Sequence, residues 1–525
     1  MDILRHLRDG AKLSARDRQP TKVLSLLSFV DELLLSIISH IDSHSSLCNL
    51  ASTCSRMQGL VEPFIWPNLL IRSGHHAVYV NDALTKRPER LSMVRDLSIR
   101  YHYTVEEGIE ILDRVLPYME KLRFLHIESP CPNNDPWRND IDTFESSTRV
   151  DYKSLFTPLL NFKVPSHNLP ALQSFTLHGH GPTDTAFDFG DLVAVFFHPT
   201  LRSINLSCTN FNTNVAASDI PPEKLKSTAL QYLTFIECNV YVSLLDYVLR
   251  LPKALKELSI GERLYVFQSC IPTDEPRTSD PLFLDALQHQ ADSLTVLKHI
   301  GGTSAFLRPR ITNSEGAAKL RNLKTLRHLD LGLESSLIQY LRIGGCPSSL
   351  QTLRLSDEAL ASSGYHQQEL FTVVMRDIYT LVIEKMSSAI NVDICFAHTP
   401  EHRGLHNAWG GPEAGQQNRN VVYKLARALK SRTCKLRVFG QRFPRDYAFI
   451  PPYMYGEDMP TEELQYDSDR PWTFKGVSWQ AADDDEGRYC TACADEGQDC
   501  VLGSIDQPCQ RCLQRGRVCS YAARL

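Results

Sequence analysis

Leu201-Arg202-Ser203-Ile204-Asn205-Leu206, Leu230-Gln231-Tyr232-Leu233-Thr234-Phe235 and Leu255-Lys256-Glu257-Leu258-Ser259-Ile260 are three copies of one pattern, L-x-x-L-x-L, starting 29 and then 25 residues apart. Within each copy the last two apolar residues alternate with polar ones, which is the pattern of a short strand with one buried face. The intervening stretches are long enough for a helix or a helical turn, as in Leu192-Val193-Ala194-Val195-Phe196-Phe197 and Ser243-Leu244-Leu245-Asp246-Tyr247-Val248-Leu249. Outward from this centre the pattern recurs as Val94/Leu97/Ile99, Leu122/Leu125/Ile127, Leu172/Phe175/Leu177, Leu326/Leu329/Leu331, Leu350/Leu353/Leu355 and Ile378/Leu381/Ile383, with Leu294/Leu297 beginning a weaker copy. A unit of this size cannot bury its leucines alone and does so against its neighbours.

A period of 24 to 29 residues resembles that of leucine-rich-repeat proteins. The resemblance implies an α/β fold with a leucine-rich-repeat solenoid over residues 90–440. Its final part is a capping region, in which Asn407-Ala408-Trp409-Gly410-Gly411-Pro412 precedes a helix-plus-strand signal from Asn420 to Gly440. The asparagine or cysteine usual after such strands is mostly missing, Cys238 being the clear match. A solenoid offers a long surface suited to protein recognition rather than an enclosed pocket. The residues between the leucines, such as Gln173, Ser174 and Thr176 or Arg202, Ser203 and Asn205, are expected on its concave face. The glycines of 404–415 are not followed by G-K-[ST], and no Ser/His/Asp or paired-carboxylate constellation stands out, so the chain reads as non-catalytic.

With 525 residues, 42% of them hydrophobic, the chain can bury a large core, and a net charge of −5 gives it no overall attraction to nucleic acid or an anionic membrane. No run of eighteen apolar residues occurs, and the first twenty residues lack an apolar segment. The protein is expected to be intracellular, in cytoplasm and/or nucleus, without membrane association. Nine cysteines scattered singly from Cys48 to Cys434 read as reduced thiols rather than a disulfide framework.

After an amino-terminal tail, 1–22, residues 23–72 form a helical unit. Leu33, Leu34, Ile37, Ile38 and Ile41 recur at helical spacing behind Asp31 and Glu32, predicting an amphipathic helix of about three turns. Ser45 or Ser46 is a plausible N-cap for a second helix carrying Leu47, Leu50, Ala51 and Cys54, and Met57, Leu60, Val61 and Phe64 continue the period to Pro67. By periodicity alone this is the helical cap of something larger. The run Asp31-Glu32-Leu33-Leu34-Leu35-Ser36-Ile37-Ile38-Ser39-His40-Ile41, with a late Trp66, resembles an F-box, although Phe29 and Val30 stand where that family has leucine and proline. The resemblance implies docking on the linker subunit of a cullin-type ubiquitin ligase through Leu33, Leu34, Ile37, Ile38 and Trp66.

The other end carries Cys490, Cys493, Cys500, Cys509, Cys512 and Cys519, two C-x2-C-x6-C units within residues 489–525. Each C-x2-C pair aims two thiolates at one centre, and six thiolates satisfy two tetrahedral zinc ions when two of them bridge. The spacing resembles the binuclear zinc cluster of fungal transcription factors, most closely from Pro508 to Tyr521. That family's first loop is basic and meets DNA, whereas Ala494-Asp495-Glu496-Gly497-Gln498-Asp499 holds three acids and no base, so DNA contact is disfavoured. The preceding residues, 441–488, rich in proline and acids and ending in Asp483-Asp484-Asp485-Glu486, read as a solvated linker.

The expected function is that of a substrate-recognition adaptor: the helical unit holds the linker subunit and cullin, and the repeats hold an unknown target protein. Two zinc ions are the expected cofactor. A zinc-cluster DNA-binding regulator and a non-catalytic repeat scaffold are the competing readings.

Overall fold

A computed structural model of the chain describes residues 25–100, 107–128, 150–161, 168–178, 187–207, 209–211, 220–262, 278, 281–299, 314–332, 335–357, 375–376, 378–385, 389–398, 409, 414–442, 461–469 and 510–515. Two units divide after Pro67, so Asn68–Ile71, placed with the helical unit by the sequence boundary at 72, instead begins the second.

Among its described residues the first unit has three α-helices, α1 (Asp31–Ile38), α2 (His44–Ala51) and α3 (Ser55–Ile65), after a 3-10 turn at Leu26–Ser28. Asp31 and Glu32 occupy the first turn of α1, where the helix dipole favours acids. The helix is about two turns rather than three and stops before Ile41. The N-cap of α2 is Ser43, whose Oγ accepts from the Ser46 amide at 3.3 Å, rather than Ser45 or Ser46. Leu34, Ile38, Leu47, Met57 and Val61 form the core, with Ile41, Leu50, Ala51, Cys54, Leu60 and Ile65 packed around them.

The second unit is α/β, built on a 15-stranded, mostly parallel sheet. Its strands are β1 (Asn68–Ile71), β2 (Asp96–Arg100), β3 (Phe124–Glu128), β4 (Ser174–His178), β5 (Phe187–Asp188), β6 (Ser203–Ser207), β7 (Thr209–Phe211), β8 (Tyr232–Val240), β9 (Glu257–Glu262), β10 (Val296–His299), β11 (His328–Leu331), β12 (Thr352–Asp357), β13 (Asn391–His398), β14 (Lys435–Arg442) and β15 (Thr461–Asp467). Apart from β5 and β7, which form a small ladder beside β8, strands pair in chain order, and every pair is parallel until β15 returns antiparallel on β14. Parallel neighbours require a crossover between them. Among the described residues these include α4 (Gly74–Lys86), α5 (Tyr152–Phe156), the 3-10 helix Gly190–Phe197, α6 (Val242–Leu249), α7 (Leu282–Gln288), α8 (Ser314–Arg321), α9 (Leu337–Gly344) and α10 (Ala414–Lys430).

The L-x-x-L-x-L copies stack on one another. In eight of them, from Val94/Leu97/Ile99 to Leu350/Leu353/Leu355, no apolar motif residue is more than 4% exposed. The weaker copy at Leu294/Leu297 is a full member whose third position is the buried His299. The copy expected at Ile378/Leu381/Ile383 is not a strand: it lies in a helical stretch that ends in a π turn, Leu381–Lys385. Apolar residues three apart suit a helix as well as this motif, and the strand β13 follows instead, burying Ile390, Val392 and Ile394.

Backbone groups at the strand starts are satisfied by a repeated device. The carbonyl of motif position 2 accepts two amides from the next strand: Arg95 O from Arg123 and Phe124 at 2.7 and 3.0 Å, Gln173 O from Arg202 and Ser203 at 2.8 and 3.0 Å, and Arg327 O from Gln351 and Thr352 at 2.8 and 3.0 Å. A hydroxyl just before the first leucine adds a second tie. Thr200, Thr325 and Ser349 donate to the carbonyls of Leu172, Leu294 and Leu326 at 2.7, 2.9 and 2.8 Å. Cys238 donates its thiol to Leu206 O at 3.6 Å, an inter-strand tie at the motif's ninth position.

At the carboxy-terminal edge, residues 461–469 of the stretch read as a solvated linker are ordered instead, whereas 443–460 and 470–488 lie outside the described residues. Here β15 covers β14, and Gln465, Tyr466 and Asp467 are buried. An edge strand left open would present unpaired backbone groups, and its acids serve here as ion partners rather than as solvation. Lys435 pairs with Asp467 at 3.1 Å, and the Ser468 amide donates to Leu436 O at 2.9 Å. Trp409, Tyr423 and Tyr466 cluster at this end, with ring centroids 5.0 to 6.4 Å apart.

Candidate functional site

The helical unit offers more apolar surface than its size explains. Leu33 and Ile37 are 52% and 46% exposed, whereas Leu34 and Ile38 are each 1% exposed. The four leucine and isoleucine residues assigned together to partner docking therefore divide: Leu34 and Ile38 face the unit's own core, and only Leu33 and Ile37 face outward. Trp66, half-buried, is the C-cap of α3, its amide donating to Glu62 O at 3.1 Å. Leu26, Leu27, Phe29, Val30 and Leu35 are exposed as well. Their turn is clamped by Arg56, which sequence reasoning missed. Its guanidinium donates to Leu27 O at 2.7 Å, Phe29 O at 2.8 Å and Asp31 Oδ1 at 2.8 Å. The contacts lie 25 to 29 residues away in the chain, beyond the reach of any local pattern.

On the sheet, the strand register aligns the central outward position of each strand. From β2 to β9 this row reads Ser98, His126, Thr176, Asn205, Thr234 and Ser259, all uncharged or neutral. Burial, and then Arg100 close by, pushes the His126 pKa down to about 4, which keeps it neutral. Thr176 is 4% exposed and accepts from Asn205 Nδ2 at 3.2 Å, so it stiffens the row rather than offering itself. From β10 to β14 the same row alternates in sign: Lys298, Asp330, Arg354, Asp393, Arg437. These charges satisfy one another. Arg437 forks onto Asp393 at 2.7 and 2.6 Å, and Arg354 forks onto Glu462 of β15 at 3.1 and 2.5 Å while lying 3.6 Å from Asp330.

The residue just before each strand, motif position 2, forms a second row along the amino-terminal rim of the sheet. It reads Arg95, Arg123, Gln173, Arg202, Gln231, Lys256, Thr295, Arg327 and Gln351. After Arg95 it alternates strictly, a base and then an amide or hydroxyl. The five bases are exposed, and their side chains make no ion pair or hydrogen bond among the described residues. Gln173 and Arg202, both named on the concave face from sequence, belong to this rim.

A buried triad invites a catalytic reading and does not sustain it. His299 lies 2.6 Å from Ser335 Oγ through Nδ1 and 2.8 Å from Thr278 Oγ1 through Nε2, and is 1% exposed. Burial drives its pKa down to about 3, so the ring is neutral, with one nitrogen donating and the other accepting. Enclosure of this kind leaves no room for substrate. The Cys395 thiol is likewise inert, pushed up to about 11 by burial.

Of the six carboxy-terminal cysteines, Cys512 is described: it is buried, 2% exposed, on a short helix, Gln510–Gln514, and is not in a disulfide. Cys490, Cys493, Cys500, Cys509 and Cys519 lie outside the described residues. Among the described residues no helix is long and apolar enough to cross a membrane. No protein-family model matches the chain, and no curated protein matches it.

Proposed function

We propose that this chain is the substrate-recognition adaptor of a cullin-type ubiquitin ligase, with an F-box-like helical unit, a leucine-rich-repeat solenoid that holds a target protein, and a zinc-stabilised tail. The observation that carries the reading is the apolar surface of the helical unit. A five-residue core leaves Leu33 and Ile37 in water, next to a clamped turn bearing Leu26, Leu27, Phe29 and Val30. Contiguous exposed apolar groups of this kind mark a protein interface. Aligned strands with outward polar rows support the target-binding role, since recognition needs an extended surface and no pocket. In this reading the chain is not a catalyst; it raises the concentration of target lysines near the charged ubiquitin carrier.

Six thiols in two C-x2-C-x6-C units have the donor chemistry for zinc, and Cys490, Cys493, Cys500, Cys509, Cys512 and Cys519 would hold two ions that fold the tail. The acidic first loop weighs against DNA as its partner.

Co-expression of the full chain with the linker subunit tests the central claim. A complex should survive size-exclusion chromatography and be lost in Leu33→Arg/Ile37→Arg, whose substitutions are on the surface and leave the core intact. Failure of the unaltered chain to hold the linker subunit would sink the proposal.

A further inference from the structure

The rim row has a property that the rest of the sheet lacks. Basic side chains at the centre and carboxy-terminal side of the sheet are neutralised within it: Lys298 with Asp330, Arg354 with Glu462, Lys435 with Asp467 and Arg437 with Asp393. At the rim, Arg123, Arg202, Lys256 and Arg327 stand exposed with no ion pair among the described residues, and no acid occupies that position from β2 to β12. The nearest acids in sequence, Asp96 and Glu257, stand one position on and are only partly exposed.

Register turns these four cations into a ruler. They occur on every second strand, and neighbouring strands lie about 4.8 Å apart, so successive bases are about 10 Å apart. A peptide in the extended polyproline-II conformation advances about 3.1 Å per residue with three residues per turn, so every third side chain returns to the same face at about 9 Å. Between the bases stand Gln173 and Gln231, amides that can both donate to and accept from a peptide backbone. Exposed aromatics beside the row are limited, among the described strand starts, to Phe124 and Tyr232, two strands or more apart, and the chain's net charge of −5 gives no overall attraction to nucleic acid.

We infer that the amino-terminal rim of the sheet binds an extended acidic segment of a protein partner, with carboxylates at about every third residue paired to Arg123, Arg202, Lys256 and Arg327. The inference deepens the proposed function by giving the chemistry of the target, and rests on the sheet being the recognition surface. It does not depend on the helical unit docking to a ligase. Long-range attraction would steer the segment in, and the exposed pairs would supply selectivity more than strength.

The test uses the full chain and a fluorescent peptide of five Glu-Gly-Ser units, alongside the same peptide with glutamine for glutamate. Anisotropy should show binding of the glutamate peptide alone, weakening steeply as salt rises past about 0.1 M, where the screening length falls to about 10 Å. Arg123→Glu/Arg202→Glu/Lys256→Glu/Arg327→Glu should weaken it at least about tenfold. The exposed helical pair Lys86→Glu/Arg321→Glu, off the rim, should leave it within about twofold. Circular dichroism and melting confirm that each variant is folded. Equal binding of the two peptides, indifference to rim reversal, or displacement by oligothymidylate at lower concentration than by the glutamate peptide would overturn the inference. Because no linker subunit is present, failure here leaves the docking result standing, and failure of docking leaves this one standing.

Discussion

Two buried polar residues show how single side chains hold the repeats together. Gln290, 2% exposed, accepts from the Leu255 amide at 2.9 Å and Ser293 Oγ at 2.8 Å, and donates to the Leu249 and Pro252 carbonyls at 2.7 and 3.1 Å. One amide thereby ties the end of α6, the approach to β9 and the turn after α7. His299 does similar work in place of a leucine, and its titration gives a signed prediction. Its folded pKa of about 3 lies below the 6.5 of an ordinary imidazole, so protons bind the unfolded chain preferentially across that interval. The stability it contributes is complete above pH 6.5 and is lost as pH falls toward 3. Between pH 7 and 5 the native protein should lose about 2 kcal/mol more than His299→Gln, which keeps a donor and an acceptor but does not titrate. Urea melts at the two pH values measure it, and equal losses would show that His299 is not held neutral. His126 has the same sign but is common to both proteins. Neither Gln290 nor His299 carries a local signal, because their partners lie up to 41 and 36 residues away.

Between elements, glycine permits close approach at the α8/α9 contact. A Cβ on Gly344 would stand 2.5 Å from Ala317 Cβ and 3.4 Å from the Ala317 backbone, and a Cβ on Gly316 would meet the buried Tyr340 ring. Alanine at 344 would gain up to about 1 kcal/mol of helix propensity. Overpacking against a second backbone costs about 1–3 kcal/mol and should win. Gly344→Ala is expected to lower stability by about 1–2 kcal/mol. Ala317→Gly in the same protein should return most of that, as a double-mutant cycle would read; additive losses would refute the contact. Strand elements were legible wherever the motif's alternation was intact, and Leu294/Leu297 was legible despite a histidine in third place. Ile378/Leu381/Ile383 misled because its first interval serves both periods. The acids of β15 misled in another way, since composition cannot distinguish a solvated acid from Glu462 aimed at a base 108 residues earlier.

Across the whole chain, the order of the repeats was readable and the location of their exposed charge was not. Burial follows from spacing, which is local, whereas pairing of Arg354 and freedom of Arg202 depend on which residue the next strand brings alongside. The helical unit's core was legible as a period; that its first helix turns Leu33 and Ile37 away from Leu34 and Ile38 required the third helix to be in place. The tail makes the prediction belonging to this scale. Native mass spectrometry of the full chain should show two zinc ions released together on acidification, and a single ion or none would refute the two-metal tail.

Sequential pairing has one consequence for how such a chain can change length. Apart from β8, which also pairs with β7, each inner strand of the main path meets only its two neighbours, so excising a repeat brings together strands that were two apart and leaves the rest of the sheet in register. The rim alternates with a period of two strands, so the operation has parity. Removing one repeat, such as that of β10, sets Lys256 directly beside Arg327; removing two in succession restores base next to amide or hydroxyl. Even insertions and deletions conserve the spacing of the cations from Arg123 to Arg327, while odd ones add a second like-charge neighbour to the Arg95/Arg123 pair that opens the row.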